Sequence, residues 1–203
     1  MSGHDEQAPT TPEQRPVEVP RIYVASLSDY NAGVLHGVWI NAADELDEIQ
    51  SQVETMLADS PTTKRYGDIA EEYAIHDYEH FGSVRVDENE PLDRVHRLAR
   101  GIEEHGDAFA AWWDYERRDD QDWGDIESQF QLDFLGEFDS LESFGEQLLG
   151  DMGFDLDEIE AIPEGLRPYV TFDIEGWVRG MEPNAEIYHV RSNGGVYVFA
   201  NNY

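Results

Sequence analysis

The sequence contains no cysteine and no long apolar run. Without cysteine the chain can form neither disulfides nor thiolate metal sites, which is typical of proteins from a reducing cytoplasm. No apolar segment approaches the roughly 20 residues that a membrane span needs. The N-terminus also lacks the basic segment followed by an apolar one that marks an export signal. We therefore expect a soluble, cytoplasmic protein.

Lysine and arginine are absent from residues 119–166, although these 48 residues carry 16 aspartates and glutamates. The whole chain has 45 acidic and 13 basic residues, which gives a net charge of −32. B-DNA carries one charge per ~1.7 Å of axis, so a charge of this size matches roughly 54 Å of duplex, or about 16 base pairs. The composition therefore favours imitation of a polyanion.

Salt adaptation or a different class of acidic protein would also produce a large negative charge. A single lysine beside 12 arginines is typical of salt-adapted or GC-rich organisms. An acidic interaction protein of another kind would bind histone-like proteins or transcription factors without phosphate-like spacing. Only four acidic residues occur in 167–203, whereas a salt-adapted coat should be more even. This uneven placement favours a dedicated acidic surface.

The rest of the composition is that of a folded protein, with 40% hydrophobic residues and 5 Trp, 10 Tyr and 9 Phe. Self-repulsion at this charge favours several small domains over one sphere. We predict an α+β fold, an elongated chain of small domains in which a helical middle separates two α+β units. The predicted boundaries are a disordered tail at 1–19, an N-terminal α+β domain at 20–85, a helical acidic domain at 86–130 and a C-terminal α+β domain at 131–203.

Apolar periodicity and turn residues predict the individual elements. Asn41 is expected to cap a helix that Pro61 ends, and Asp139 to Glu142 is expected to form a capping box. Arg97 and Arg100 lie at helical spacing from acidic residues, which predicts intrahelical pairs instead of a basic patch. The other predicted elements are strands at 21–27, 34–40, 73–78, 132–138, 187–190 and 195–199, and helices at 92–106, 107–118 and 171–181.

Three short motifs resemble functional sites, but the residues around each motif argue against that function. His76, Glu79 and His80 match the H-x-x-E-H zinc pattern, but that pattern needs a helix and this segment is predicted to be a strand. The stretch from Asp120 resembles the start of a calcium loop and lacks its later ligands. The Asn-Gly-Gly at 193–195 is typical of a hairpin turn. With no cysteine and no serine in a nucleophile-elbow context, we predict no catalytic residues, no cofactor and no metal.

Several blocks together resemble the ArdA antirestriction family. They occur in the family's order over about residues 20–203: RIYVASL at 21–27, YNAG at 30–33, GVW at 37–39, YAIHDY at 73–78, GEFDSL at 136–141, YV at 169–170, FD at 172–173 and GVYVF at 195–199.

This resemblance implies a non-enzymatic protein from a mobile element that mimics bent B-DNA. Such a protein occupies the DNA groove of type I restriction-modification enzymes and protects incoming DNA, without binding nucleic acid or membrane itself. The resemblance also implies three small domains and a homodimer formed through the C-terminal domain. We place the dimer contact at Tyr197 and Phe199, in a hairpin where acidic residues are few.

The inhibitory surface that the resemblance implies is the acidic face of the central and C-terminal parts. Its expected carboxylates are Asp114, Glu116, Asp119, Asp120, Asp122, Asp125, Glu127, Asp133, Glu137, Asp139, Glu142, Glu146, Asp151, Asp155, Asp157 and Glu158.

Overall fold

The structure is a computed structural model that describes residues 18–67, 69–115, 126–154, 162–182 and 186–201. The predicted α+β class is confirmed, because helices accompany two three-stranded antiparallel sheets. The chain order is β1 (Arg21–Ser26), α1 (Leu27–Asn31), β2 (Gly37–Asn41), α2 (Leu46–Ala58), α3 (Pro61–Tyr66), β3 (Tyr73–Glu79), α4 (Leu92–His105), α5 (Asp107–Tyr115), α6 (Ile126–Asp133), β4 (Phe134–Phe138), α7 (Leu141–Asp151), a 3-10 turn (Arg167–Tyr169), α8 (Ile174–Arg179), β5 (Ile187–Arg191) and β6 (Val196–Ala200).

The first sheet has the strand order β2-β1-β3. Its predicted hairpin is confirmed, with Ile22 opposite Ile40 and Val24 opposite Val38, although the short helix α1 lies in the connection. Gly33 follows that helix at a φ of +77°, a conformation that glycine adopts without the steric cost of a side chain. The strand predicted at 73–78 is confirmed as β3, which pairs antiparallel with β1.

The predicted start of α2 is wrong. Asn41 is the last residue of β2, where its Oδ1 accepts from the Ala43 N–H at 3.0 Å and its Nδ2 donates to Asp44 at 2.7 Å. These bonds fix the turn, and the helix begins later, after Glu45. Pro61 is the first residue of α3 instead of the end of α2, because proline suits a position whose N–H has no helical partner.

Two predictions around the second sheet also need correction. Residues 132 and 133 belong to α6, so the strand predicted from 132 begins only at Phe134. The capping box before α7 joins Ser140 and Ser143, whose side chains each accept from the other's N–H at 3.1 Å, instead of Asp139 and Glu142. The C-terminal hairpin is confirmed, with the strand order β4-β6-β5.

Strand β6 contributes to two hydrophobic cores. Phe199 lies in a large cluster with residues of the first sheet, α2, α4, α5 and α6. Its neighbour Val198 lies in a smaller cluster with α7 and α8. Adjacent strand residues face opposite sides of a sheet, so the second sheet is covered on both faces. Helix α6 spans the boundary predicted between 130 and 131, and the domain limits stay a prediction.

Helices α7 and α8 approach closely at Gly145. A Cβ at this position would lie 2.4 Å from Ile174 Cγ2 and 2.7 Å from Val178 Cγ2, well inside van der Waals contact. Glycine therefore allows the two helices to pack at this distance. The apolar face of α7 is fixed against α8, and the opposite face of α7 is exposed.

Asp29 is a fully buried acid that holds α3 in place. Its Oδ1 accepts from the Thr62 N–H at 2.8 Å and from the Thr62 hydroxyl. Burial alone would raise the pKa of this carboxyl, but the hydrogen bonds from Thr62 and the nearby hydroxyls of Ser26 and Ser60 outweigh it and hold the pKa well below its ordinary value. The folded protein therefore favours the charged form of Asp29.

We expect Asp29→Asn to lower the free energy of unfolding by about 1–2 kcal/mol at pH 7, because the bonds to Asp29 lose their charge assistance. Since the folded pKa lies below the reference value of 3.8, this stabilisation is complete above that pH and is lost as pH falls through the folded pKa. Urea unfolding of the unchanged protein and of the Asp29→Asn variant at pH 7 and pH 3 measures this difference in the free energy of unfolding. A difference that does not shrink at pH 3 would contradict a stabilising role for the Asp29 charge.

Candidate functional site: an acidic surface

Within the described residues, six of the basic side chains are held in ion pairs. The predicted intrahelical pairs of α4 are confirmed, with Arg97 3.6 Å from Asp93 and Arg100 3.3 Å from Glu103. Further pairs are Arg94–Glu90 at 3.2 Å, Lys64–Asp59 at 2.9 Å, Arg179–Glu175 at 2.6 Å and Arg21–Glu79. Each of these pairs neutralises one acidic and one basic side chain at its own position on the surface.

Among the described residues, most carboxylates from α5 to α7 have no ion-pair partner. Seven predicted surface acids are exposed, and none makes an ion pair within the described ranges: Asp114, Glu127, Glu137, Asp139, Glu142, Glu146 and Asp151. Because residues 119–166 contain no lysine or arginine, no neighbour in sequence can neutralise the last six. Their charge therefore remains available to a partner.

The elements of this region fix where the charges lie. Glu142 and Glu146 lie on the exposed face of α7, four residues apart and so about 6 Å apart along the axis. Glu137 is exposed on β4. Glu127 and Glu142 also lie in first helical turns, where the helix dipole stabilises negative charge. Backbone dipoles thus offset part of the repulsion among these carboxylates.

Asp133 is not part of this surface, contrary to the prediction. It is 0% exposed, and its Oδ2 accepts from Trp112 Nε1 at 3.1 Å. Its Oδ1 accepts from Gln129 Nε2 at 3.1 Å. The carboxylate links α6 to α5 and satisfies the indole N–H of a buried tryptophan.

The remaining predicted carboxylates lie outside the described residues: Glu116, Asp119, Asp120, Asp122, Asp125, Asp155, Asp157 and Glu158.

Phe199 cannot form the predicted dimer contact, because its side chain is 0% exposed and stacks on Tyr188 inside the large core. Tyr197 is half-buried and lies opposite Glu137 in the strand register. Burial raises the pKa of Tyr197, and the charges of Glu137 and Asp107 raise it further. The hairpin is poor in acids along the chain, but folding brings carboxylates from β4 and α5 to its side.

The histidine motif lies on strand β3 and the residue after it. His76 packs edge-on against Tyr30 with ring centroids 4.7 Å apart, while His80 Nδ1 lies 3.2 Å from a Glu18 carboxylate oxygen. The strand predicted here is confirmed, so these side chains do not share the helical face that the zinc pattern requires. The Asn-Gly-Gly at 193–195 connects β5 and β6 as the predicted hairpin turn.

Sequence reasoning missed a group of exposed apolar side chains between α7 and α8. Tyr169 is 84% exposed, and Met152, Phe154, Leu166, Val170 and Phe172 in the same part of the chain are exposed as well. The signal in the sequence is the apolar run around 166–172, which has no helical or strand period. Exposed apolar side chains that lie together are typical of contact surfaces.

The fold and these carboxylates define an acidic α+β protein whose most distinctive surface is a display of unpaired negative charge. Within the described ranges, no helix has the length and apolar character needed to cross a bilayer. The chain belongs to the ArdA family, because the family model described as "Antirestriction protein (ArdA)" matches residues 22–196. No curated protein sequence matches it. Family membership confirms the resemblance and supports an antirestriction function that involves restriction-modification enzymes.

We expect Asp133→Ala to lower the free energy of unfolding by about 2–3 kcal/mol, because it leaves the buried Trp112 N–H without its acceptor. Asp151→Ala is the matched control, since Asp151 is exposed at the end of α7 and should change stability by at most about 0.5 kcal/mol. Chemical denaturation followed by tryptophan fluorescence measures both. Equal effects of the two substitutions would contradict a structural role for Asp133.

Proposed function

We propose that this protein is a non-enzymatic DNA mimic that binds the DNA groove of type I restriction-modification enzymes and blocks them. The observation that carries the proposal is the run of exposed carboxylates from α5 to α7 that have no cationic partner in the described structure. In this mechanism the carboxylates take the places of DNA phosphates and contact the lysines and arginines of the groove. The family match supports the general function, and the charge supports the mechanism.

The charge density of α7 is of the right order for a phosphate strand. The helix has 11 residues and is therefore about 16 Å long, with Glu142, Glu146 and Asp151 along it. This gives one charge per roughly 5 Å, against one per ~3.4 Å in a single DNA strand. One helix is thus more dilute than DNA, and the mimic needs the charges of α5, α6 and β4 beside it.

The seven unpaired carboxylates contribute a concentrated negative field. Ion pairs cancel charge on α4, on α8 and between Asp59 and Lys64, whereas the seven exposed carboxylates named above have no ion-pair partner among the described residues. A concentrated negative field steers a basic groove toward it and accelerates association. Contact then releases counterions from the groove, as DNA binding does.

A competition assay on a purified type I methyltransferase core tests this proposal. We expect the protein and duplex DNA to exclude each other, with an affinity that falls steeply between 50 mM and 200 mM salt. An unrelated basic protein, such as a histone-like protein, is the specificity control. Equal affinity for both would favour a general acidic interaction protein, and binding insensitive to salt would contradict mimicry.

Neutralising the acids should weaken inhibition gradually. Each exposed contact contributes about 0.2–1 kcal/mol, so Glu137→Gln, Glu142→Gln, Glu146→Gln and Asp151→Asn together should cost roughly 1–4 kcal/mol of binding, while each alone barely registers. The inhibition constant at fixed salt measures this.

The matched control removes four exposed acids around α2, which are Glu45, Asp47, Glu48 and Glu54. It changes the net charge equally and should have a smaller effect. Equal losses in the two variants would mean that total charge, and not this surface, determines binding. Complete loss from one substitution in a folded protein would contradict a distributed contact.

The homodimer is part of the same proposal, with a corrected contact. Because Phe199 is buried, we place the contact at the exposed apolar group around Tyr169 and Phe172. A second copy of the chain is the simplest occupant of this group, since a shared apolar patch allows a two-fold contact and keeps the acidic elements free.

Tyr169→Ser with Phe172→Ser should weaken the dimer by at least about tenfold, because it removes apolar area from the contact. Sedimentation equilibrium measures the association. Leu35→Ser is the control, since Leu35 is also strongly exposed and lies in the loop before β2. An unchanged dimer in the double variant would place the contact elsewhere.

A further inference from the structure

Three metal-ligating side chains meet where α4 ends and α6 begins. One imidazole nitrogen of His105 and one carboxylate oxygen from each of Glu104 and Glu127 lie within 4.8 Å of one another. Glu104 and His105 are the last two residues of α4, and Glu127 is in the first turn of α6. They come from segments 22 residues apart, so no sequence motif joins them.

These side chains do not satisfy one another. No hydrogen bond or ion pair connects any two of them in the described structure, and Nε2 of His105 is buried with no hydrogen-bond partner there. Among the described residues Glu127 accepts one long hydrogen bond, 3.4 Å from Gln131 Nε2. Two carboxylates held near each other in a chain of charge −32 repel unless a cation lies between them.

Aromatic packing holds the imidazole in place. The ring of His105 lies 6.0 Å from the ring of Phe109 at an interplanar angle of 22°, and 4.7 Å from that of Phe130. Phe130 lies one helical turn after Glu127, so the same face of α6 supplies both the carboxylate and the ring that positions His105. A ligand with a fixed orientation loses little conformational entropy when it binds.

We propose that Glu104, His105 and Glu127 bind one divalent transition-metal ion, with water completing its coordination. A nitrogen and two carboxylate oxygens suit Zn²⁺, Mn²⁺, Co²⁺ or Ni²⁺, whereas Ca²⁺ and Mg²⁺ take all-oxygen sites. The C-terminal end of α4 carries the negative end of the helix dipole and also favours a cation.

The ion would join the end of α4 to the start of α6. It would cancel the charge of Glu127, which lies in the stretch that lacks lysine and arginine, and of Glu104, which lies before that stretch. This site does not depend on the proposed inhibition of restriction enzymes, because its ligands and its packing are internal to the chain.

Isothermal titration of the full chain tests the site, after treatment with EDTA and with millimolar Mg²⁺ present to occupy non-specific acidic positions. We expect one Zn²⁺ per chain, bound at least about tenfold more weakly by Glu104→Gln with Glu127→Gln, since a lost ligand costs at least as much as a lost outer-shell partner. Both residues are exposed, so this variant should fold, and its thermal unfolding checks that.

The control is Glu45→Gln with Glu48→Gln, which removes the same charge from two exposed residues around the start of α2. It should bind Zn²⁺ as the unchanged protein does. In the Co²⁺ form, proton NMR should show paramagnetically shifted imidazole resonances that His105→Gln abolishes. Equal weakening in both double variants, absence of a one-to-one site or absence of shifted imidazole resonances would overturn the proposal.

Discussion

Electrostatic self-repulsion is the constraint on which the rest of this structure depends. A net charge of −32 on 203 residues opposes compaction. Within the described residues the chain limits this cost by pairing most cations with nearby acids and by placing Glu127 and Glu142 at helix N-termini. Two cores supply the opposing stabilisation. The carboxylates without partners therefore lower the stability of the fold, and selection for binding would account for their presence.

An aromatic group at the centre of the large core joins the parts of the chain that carry the charge. Phe130 of α6 packs against Phe109 and Trp112 of α5 and against Phe134 and Phe199 of the second sheet, with centroid distances from 5.1 to 6.5 Å. This ring contacts both sides of the predicted boundary near 130. The acidic residues of α5, α6 and β4 therefore lie on elements that pack around the same aromatic core.

Sequence periodicity predicted most elements because their apolar faces are regular, and it failed where two patterns overlap. Residues 132–138 alternate like a strand, yet Ile126, Phe130 and Asp133 also follow the spacing of a buried helical face. The predicted strand would place the Asp133 side chain on the surface. In the observed helix, this side chain lies against Trp112. The burial of Phe199 was missed for a related reason. Alternation of apolar and polar residues predicts only one buried face of a strand, whereas β6 is covered on both faces and buries consecutive residues. The approach of Glu104 and His105 to Glu127 is a tertiary contact without a local pattern.

The close approach at Gly145 separates this surface from a flexible polyanion. With α7 fixed against Ile174 and Val178, the backbone that carries Glu142 and Glu146 cannot shift independently of the C-terminal sheet. An acidic tail can adapt its charges to any basic groove, whereas a rigid array fits only grooves whose cations match its spacing. The glycine thus makes geometric selectivity possible. It fixes the positions of the negative charges, so that some basic proteins match their spacing and others do not.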